Sequence, residues 1–181
     1  MYQTFFNSVI YACIPTIPAI IVTSKAAFVF ARNRTKLNNF LYFFIILGIT
    51  IPTNVVTLLK LLQFLHLYNT MTGMILLYIG GGISFNTLLF YGFIYSIPRE
   101  LDEATIIDGC TPLQMFFKVI FPLLKPVIST VAVLTFMNSW NDFINPLYFT
   151  NSSSKWPMTL AVYNFFGKYS GQWNLVCSDI I

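Results

Sequence analysis

Thr72–Ile97 reads TGMILLYIGGGISFNTLLFYGFIYSI, 26 residues without a charged side chain. As a helix this stretch is about 39 Å long at 1.5 Å per residue, more than the roughly 30 Å of a bilayer's hydrocarbon core. A helix apolar on all sides belongs in a protein core or in lipid. The rest of the chain decides between them. Of its 181 residues 56% are hydrophobic and 9% charged, and the mean hydropathy is +0.71. A soluble domain carries about 25% charged residues, so this chain lacks the polar groups to cover a globule. The expected class is an all-α, polytopic membrane helix bundle.

Outward from that stretch, three more segments are long and apolar enough to span: 5–30 (with Pro15, Pro18 and Lys25), 40–59 (around Pro52) and 124–149. With 72–97 they make four expected spans in one transmembrane domain covering 1–181. A further apolar run starts at Trp173 and the sequence stops at Ile181, about 14 Å of helix. Arg32, Arg34 and Lys36 between the first two spans set that loop inside by the positive-inside rule. Alternation then puts the loop after Ser96 inside as well, and Lys60 outside. An outside N-terminus with no charged leader and a stub at the other end give the expectation of truncation at both ends.

Other classes are excluded on spacing. Cys13, Cys110 and Cys177 are odd in number and far apart, and His66 is the lone histidine; no disulfide framework, metal site or Cys–His nucleophile follows. The net charge of +4 comes from basic residues scattered between apolar runs, which suits topology rather than nucleic acid. No GxxxxGK[ST] loop is present, so the chain itself is not expected to hydrolyse ATP, and no catalytic residue or cofactor is expected.

The loop after 72–97 carries the local signals. Ser96 with Pro98 is positioned to cap and open a helix, and Glu100, Asp102 and Glu103 crowd its first turns, where the dipole favours them. Leu101, Ala104 and Ile107 share an apolar face, and Gly109 supplies a left-handed residue to end the helix. Thr111-Pro112-Leu113-Gln114 is a capping box with proline at the first helical position, opening a second short helix that Pro122 stops. On its residues alone, this paired-helix loop suits either a hairpin resting on lipid or an element docking into a groove on a soluble partner.

Glu103-Ala104-Thr105, then Gly109, then Val119-Ile120-Phe121-Pro122 resembles the EAA loop of ATP-binding cassette importer permeases. That pattern is Glu-Ala-Ala, three residues, Gly, nine residues, Ile-x-Leu-Pro. Glu103, Ala104, Gly109 and Pro122 are in register; Thr105, Val119 and Phe121 depart from it. Asn7-Ser8 leading to Ala26–Arg32, Ile51-Pro52, Leu67–Thr70 and Trp140–Leu147 are similar to the carbohydrate branch, and within it to the shorter, maltose-type inner-membrane subunit. The resemblance implies six spans in a whole subunit, a multi-pass protein of the bacterial inner membrane. It implies half of a pore for a sugar or oligosaccharide, with a coupling loop over 98–122 carrying Glu103, Ala104, Asp108, Gly109 and Pro122. It also implies partners: a second permease subunit, a cytoplasmic ATP-binding cassette ATPase and an extracytoplasmic solute-binding protein.

Within 124–149, Asn138, Asn141 and Asp142 are candidates for the substrate path, since ionisable groups in spans are functional by default. The competing reading puts Asp142 near the outer end in water, with the asparagines bridging helices, and Trp140 in an interfacial belt. Gly80-Gly81-Gly82 reads either as an unwound lining or as a site of close helix packing, the favoured of the two. Two alternatives to an importer remain in view. A secondary transporter would need paired charges in several spans, where only Asp142 and Lys25 qualify. A non-functional fragment of a permease would carry the same motifs.

Overall fold

The computed structural model describes residues 2–162; the expected stub from Trp173 and Cys177 lie outside them. The described chain is helical: α1 (Tyr2–Arg32), α2 (Lys36–Thr50), α3 (Val55–Phe64), α4 (Met71–Ser96), α5 (Glu100–Ile107), α6 (Pro112–Met115), α7 (Phe121–Leu123), α8 (Lys125–Asn141), α9 (Ile144–Phe149) and α10 (Met158–Ala161). A π-helical turn, Phe116–Ile120, joins α6 to α7, and a 3-10 turn covers Ser153–Lys155.

Two helices, α1 and α4, are each long and apolar enough to cross a membrane. The expected span 40–59 is not one helix. Ile51 precedes Pro52 and is held extended (ψ 117°), because the proline ring disfavours the helical region for its predecessor. Asn54 then restarts the chain as α3, its side chain accepting the N–H groups of Val56 and Thr57 at 2.9 and 3.4 Å. Nor is 124–149 one helix: α8 ends at Asn141 and α9 begins at Ile144. Pro15 and Pro18, by contrast, leave α1 a single helix.

Pro122 does not stop the second loop helix. It lies inside α7, and the break comes at Leu124, where the axis of Pro112–Leu123 turns 77° into α8. Pro122 has no N–H for the carbonyl one turn back, and the ladder before it widens, Phe121 N–H reaching Phe116 O. A π turn is what an interrupted ladder of this kind leaves. Pro126 repeats the deletion, and the helix is renewed by Ile128 N–H on Leu124 O at 2.8 Å.

The described residues form two compact units: one of 2–15, 53–78 and 135–162, the other of Thr16–Pro52 and Ile79–Leu134. The second unit has its core in Ala27, Phe90, Ile94, Met115, Phe116, Ile120, Leu124 and Val131, so the second loop helix is built into it by its own apolar side chains. The first unit is centred on Tyr11, Leu62, Met74, Tyr78 and Phe149.

In the first unit the segment after α9 is tied down by polar groups. Asn69, in the left-handed region at φ 56°, accepts the N–H groups of Asn151 and Ser152 on its side chain. Its own carbonyl accepts the Lys155 ammonium. Asn7 donates to the carbonyls of Ser154 and Trp156 at 2.8 and 3.1 Å, and Tyr11 to that of Lys155 at 3.0 Å. Thus the Asn7-Ser8 and Leu67–Thr70 segments hold one backbone strap.

Much apolar surface stays open. α2 buries none of its residues, and Phe40, Phe43, Phe44 and Leu47 are each more than half exposed. Water would not tolerate such a surface on a monomer; lipid or further protein would.

Candidate functional site

α5 starts without the expected cap. Ser96 donates instead to Phe93 O at 2.7 Å, inside α4, and the residue preceding α5 is Arg99, with no side-chain cap. The first turn is still acidic (Glu100, Asp102, Glu103), which the helix dipole supports. At the other end the chain reverses at Gly109, φ +73°. Nothing lies within 4 Å of the position a Cβ would take there, so glycine is required by backbone conformation and not by crowding. Asp108 closes α5, its N–H on Ala104 O. The capping box is complete: Thr111 Oγ1 accepts Gln114 N–H at 3.4 Å while Gln114 Oε1 accepts Thr111 N–H at 2.9 Å.

α5 turns its apolar stripe outward and buries a hydroxyl residue instead. Leu101, Ala104 and Ile107 all face outward, Ile107 at 85% exposure, whereas Thr105 is buried. Thr105 donates to Asp102 O at 2.7 Å, which lets a hydroxyl sit where the resembling pattern has alanine. Outward with Ile107 are Ile106 and Leu113, forming an apolar knuckle around the Gly109 turn. Glu103 is exposed beside it. Among the described residues no hydrogen bond or ion pair holds the Glu103 carboxylate.

The root of the loop is clamped by a residue that sequence reasoning used only for topology. Arg32, the last residue of α1, places Nε 2.7 Å from Asp102 Oδ2, with both side chains largely buried at 13% and 15% exposure. Its two terminal nitrogens donate to Ile97 O at 3.2 Å each. One guanidinium thus holds the chain entering α5 through its terminal nitrogens and α5 itself through the ion pair and a 3.4 Å contact from Nη2 to Asp102 Oδ1, while Nε makes no hydrogen bond of its own. Lys25, inside the expected first span, lies 4.8 Å over the Phe117 ring, a cation–π contact that ties α1 to the π turn of the second loop helix. Arg34 lies over Tyr95 at 5.2 Å, and hydrogen bonding to that phenol raises its already high pKa.

The membrane candidates separate. Asn138 and Asn141 are exposed on α8. Asp142 is engaged: it accepts the N–H groups of Ile144 and Asn145 at 3.1 and 3.3 Å, and the Asn145 amide at 2.6 Å, capping α9. Trp140 stacks on Phe136 (5.5 Å, 15°). Gly80–Gly82 are helical within α4; an added Cβ at Gly80 or Gly81 would meet nothing within 4 Å. Among the described residues neither an unwound stretch nor close packing against another helix is found at Gly80 or Gly81, and at Gly82 an added Cβ would stand 3.1 Å from Asn86 Nδ2 of the same helix.

Fold and surface together define an integral membrane helix protein with a paired-helix loop set between apolar helices. The chain belongs to the family of binding-protein-dependent transport system inner membrane components, whose model matches residues 16–169. It is 32% identical to the probable starch degradation products transport system permease protein AmyC of Thermoanaerobacterium thermosulfurigenes, over 96% of this chain and 64% of that one. It is 37% identical to the multiple sugar-binding transport system permease protein MsmG of Streptococcus mutans, over 91% and 61%. The chain therefore spans less than two thirds of these relatives' length. A solved bacterial ABC transporter involved in import of the acidic polysaccharide alginate matches 98% of this chain and 62% of its own, with TM-score 0.86 at 20% identity, a likeness of fold.

Proposed function

We propose that this chain forms part of a permease subunit of an ATP-driven importer for a sugar or oligosaccharide, spanning a bacterial inner membrane several times and contributing half of a pore. Relatives whose names specify starch degradation products and multiple sugars support the substrate class. The observation that carries the coupling role is the α5–α6 loop. It presents Ile106, Ile107, Leu113 and the unpaired Glu103 outward while Arg32 fixes its root. An exposed apolar knuckle on a rigid base suits a groove on a soluble partner better than it suits solvent. On this reading the loop faces the cytoplasm, and the partner is an ATP-binding cassette ATPase, which supplies the hydrolysis. Glu103 would meet a donor on it, Gly109 sets the reversal, Ala104 and Asp108 complete the docked surface, and Pro122 shapes the exit into α8. A second permease subunit would supply the other half of the pore, and an extracytoplasmic solute-binding protein would deliver the sugar. Asn138 and Asn141, beside the capping Asp142, are the candidate substrate contacts.

Ile107→Asp tests the loop, because a side chain 85% exposed carries little of the fold. The variant is expected to insert and melt like the parent yet to lose co-purification with its ATPase and sugar uptake. Retained co-purification with full uptake would refute the coupling role.

A further inference from the structure

At the ends of α1 and α4, in the second unit, two cavities adjoin through the shared residues Arg34 and Tyr95. The first, about 450 Å³, is a crevice lined by Arg32, Arg34 and Arg99, with Ser96, Pro98 and the carboxylate of Glu100. The second, about 440 Å³, is a groove between α2 and α4 walled by Tyr42, Phe43 and Tyr91, with Gly92 leaving it open on the α4 side. Each falls in the range of small-ligand sites, roughly 300–1,000 Å³. Tyr42 and Tyr91 are stacked at 4.2 Å and 28°, so the groove wall is a paired aromatic face on facing helices rather than a set of independent side chains.

The chemistry changes from one cavity to the next. Three arginines line the crevice, with Arg32 already balanced by Asp102 and Glu100 subtracting one charge. Arg34 and Arg99 are exposed and provide the surplus positive charge. The groove running from it along α2 and α4 is mostly aromatic, with Asn39 also on its wall. A basic mouth continuous with an apolar slot matches an anionic amphiphile: phosphate in the mouth, hydrocarbon along the slot. A free phosphate would leave the groove unfilled, and a neutral lipid would leave the charge unmatched. Basic pockets of this kind between helices on the inner side recognise anionic headgroups.

We propose that the Arg34–Arg99 crevice and the Tyr42–Tyr91 groove form a binding site for one anionic phospholipid, seated where α5 leaves α4. The proposal rests on the orientation adopted above, with Arg32–Arg34 inside. Its occupant would lie against the same backbone, Ile97 to Glu100, that Arg32 grips to fix the coupling loop.

Native mass spectrometry of the full subunit, in its complex, titrated with phosphatidylglycerol or phosphatidylcholine, reads occupancy without ATP or sugar. Failure here is therefore distinguishable from failure of the importer reading. Phosphatidylglycerol is expected to be retained in preference to phosphatidylcholine. Arg34→Gln and Arg99→Gln should each weaken its retention on the order of fivefold, the share of one basic residue at an anionic surface. Tyr42→Ala should weaken retention of both lipids, and Lys60→Gln, in the other unit, should leave it unchanged. Equal retention of the two lipids, insensitivity to both arginine substitutions, or displacement by inorganic phosphate alone would overturn the proposal. So would absence of any retained lipid, the result if another part of the protein or a partner's acidic segment fills the crevice.

Discussion

Arg32 does two jobs at the residue scale. Its positive charge sets the expected inner end of α1 by the positive-inside rule, and its guanidinium ties Ile97 O and Asp102 into one unit. At 13% and 15% exposure the pair lies between a surface ion pair, worth about 0–1 kcal/mol, and a buried one, whose rupture costs about 3–5 kcal/mol. Arg32→Gln and Asp102→Asn are each expected to lower stability by about 1–3 kcal/mol. The double substitution should cost less than the sum, because each single change strands the other partner. Thermal melting of the solubilised subunit measures the cycle; strict additivity would show that the pair does not act as a unit. The sequence placed both residues on one side of the membrane but could not pair them. Arg34, Lys36 and Arg99 compete for the same carboxylates, and the choice among them is made by tertiary geometry. Asp142 shows the opposite limit: its engagement is local, with Asn145 three residues on, and an Asp-x-x-Asn spacing before an apolar turn is readable as a cap.

Among the elements, the loop was legible where its chemistry is local. The Thr111–Gln114 capping box and the positive φ of Gly109 follow from residue type and spacing, and both are present. Thr111→Ala should cost about 1 kcal/mol and, since α6 is only four residues long, should speed amide exchange over 112–115 specifically. Unchanged exchange there would mean that Met115 and Phe116, both buried, hold the turn without the cap. The start of α5 was misread, and its inward residue was not foreseen, for a different reason. Ser96 had two acceptable uses, cap or back-bond to Phe93, and the continuation of α4 to Ser96 decided it. The apolar stripe Leu101–Ala104–Ile107 lies outward, and which residue turns inward is assigned by what packs against the helix. Thr105, with its hydroxyl satisfied within its own turn, is the smaller inward neighbour. Proline was similarly ambiguous: α1 absorbs two, Pro52 breaks the chain, and Pro122 displaces the break to Leu124.

For the molecule as a whole, composition alone sufficed for the membrane class, since the shortage of charge is a global property independent of pairing. The surface bears this out in α2, which has no buried residue and yet carries no charged side chain after Lys36. Leu47, 57% exposed there, discriminates between solvents. An exposed position of a soluble protein accepts most substitutions within about 0.5 kcal/mol, whereas arginine near the centre of a membrane helix costs about 2.5–3.5 kcal/mol. Leu47→Arg is therefore expected to impair insertion, read as a rise in the alkali-extractable fraction; unchanged insertion would place that face of α2 in water. The clamp between α1 and α5 also has a consequence in time. Arg32 and Asp102 are 70 residues apart, so at 5–20 residues per second of synthesis the arginine waits roughly 4–14 s for its partner. In a membrane the two can meet only if the intervening chain makes an even number of crossings. A nascent chain threaded with one crossing too many or too few would strand them on opposite sides. The ion pair would then report on topology, closing only in a chain that brings both residues to the same face.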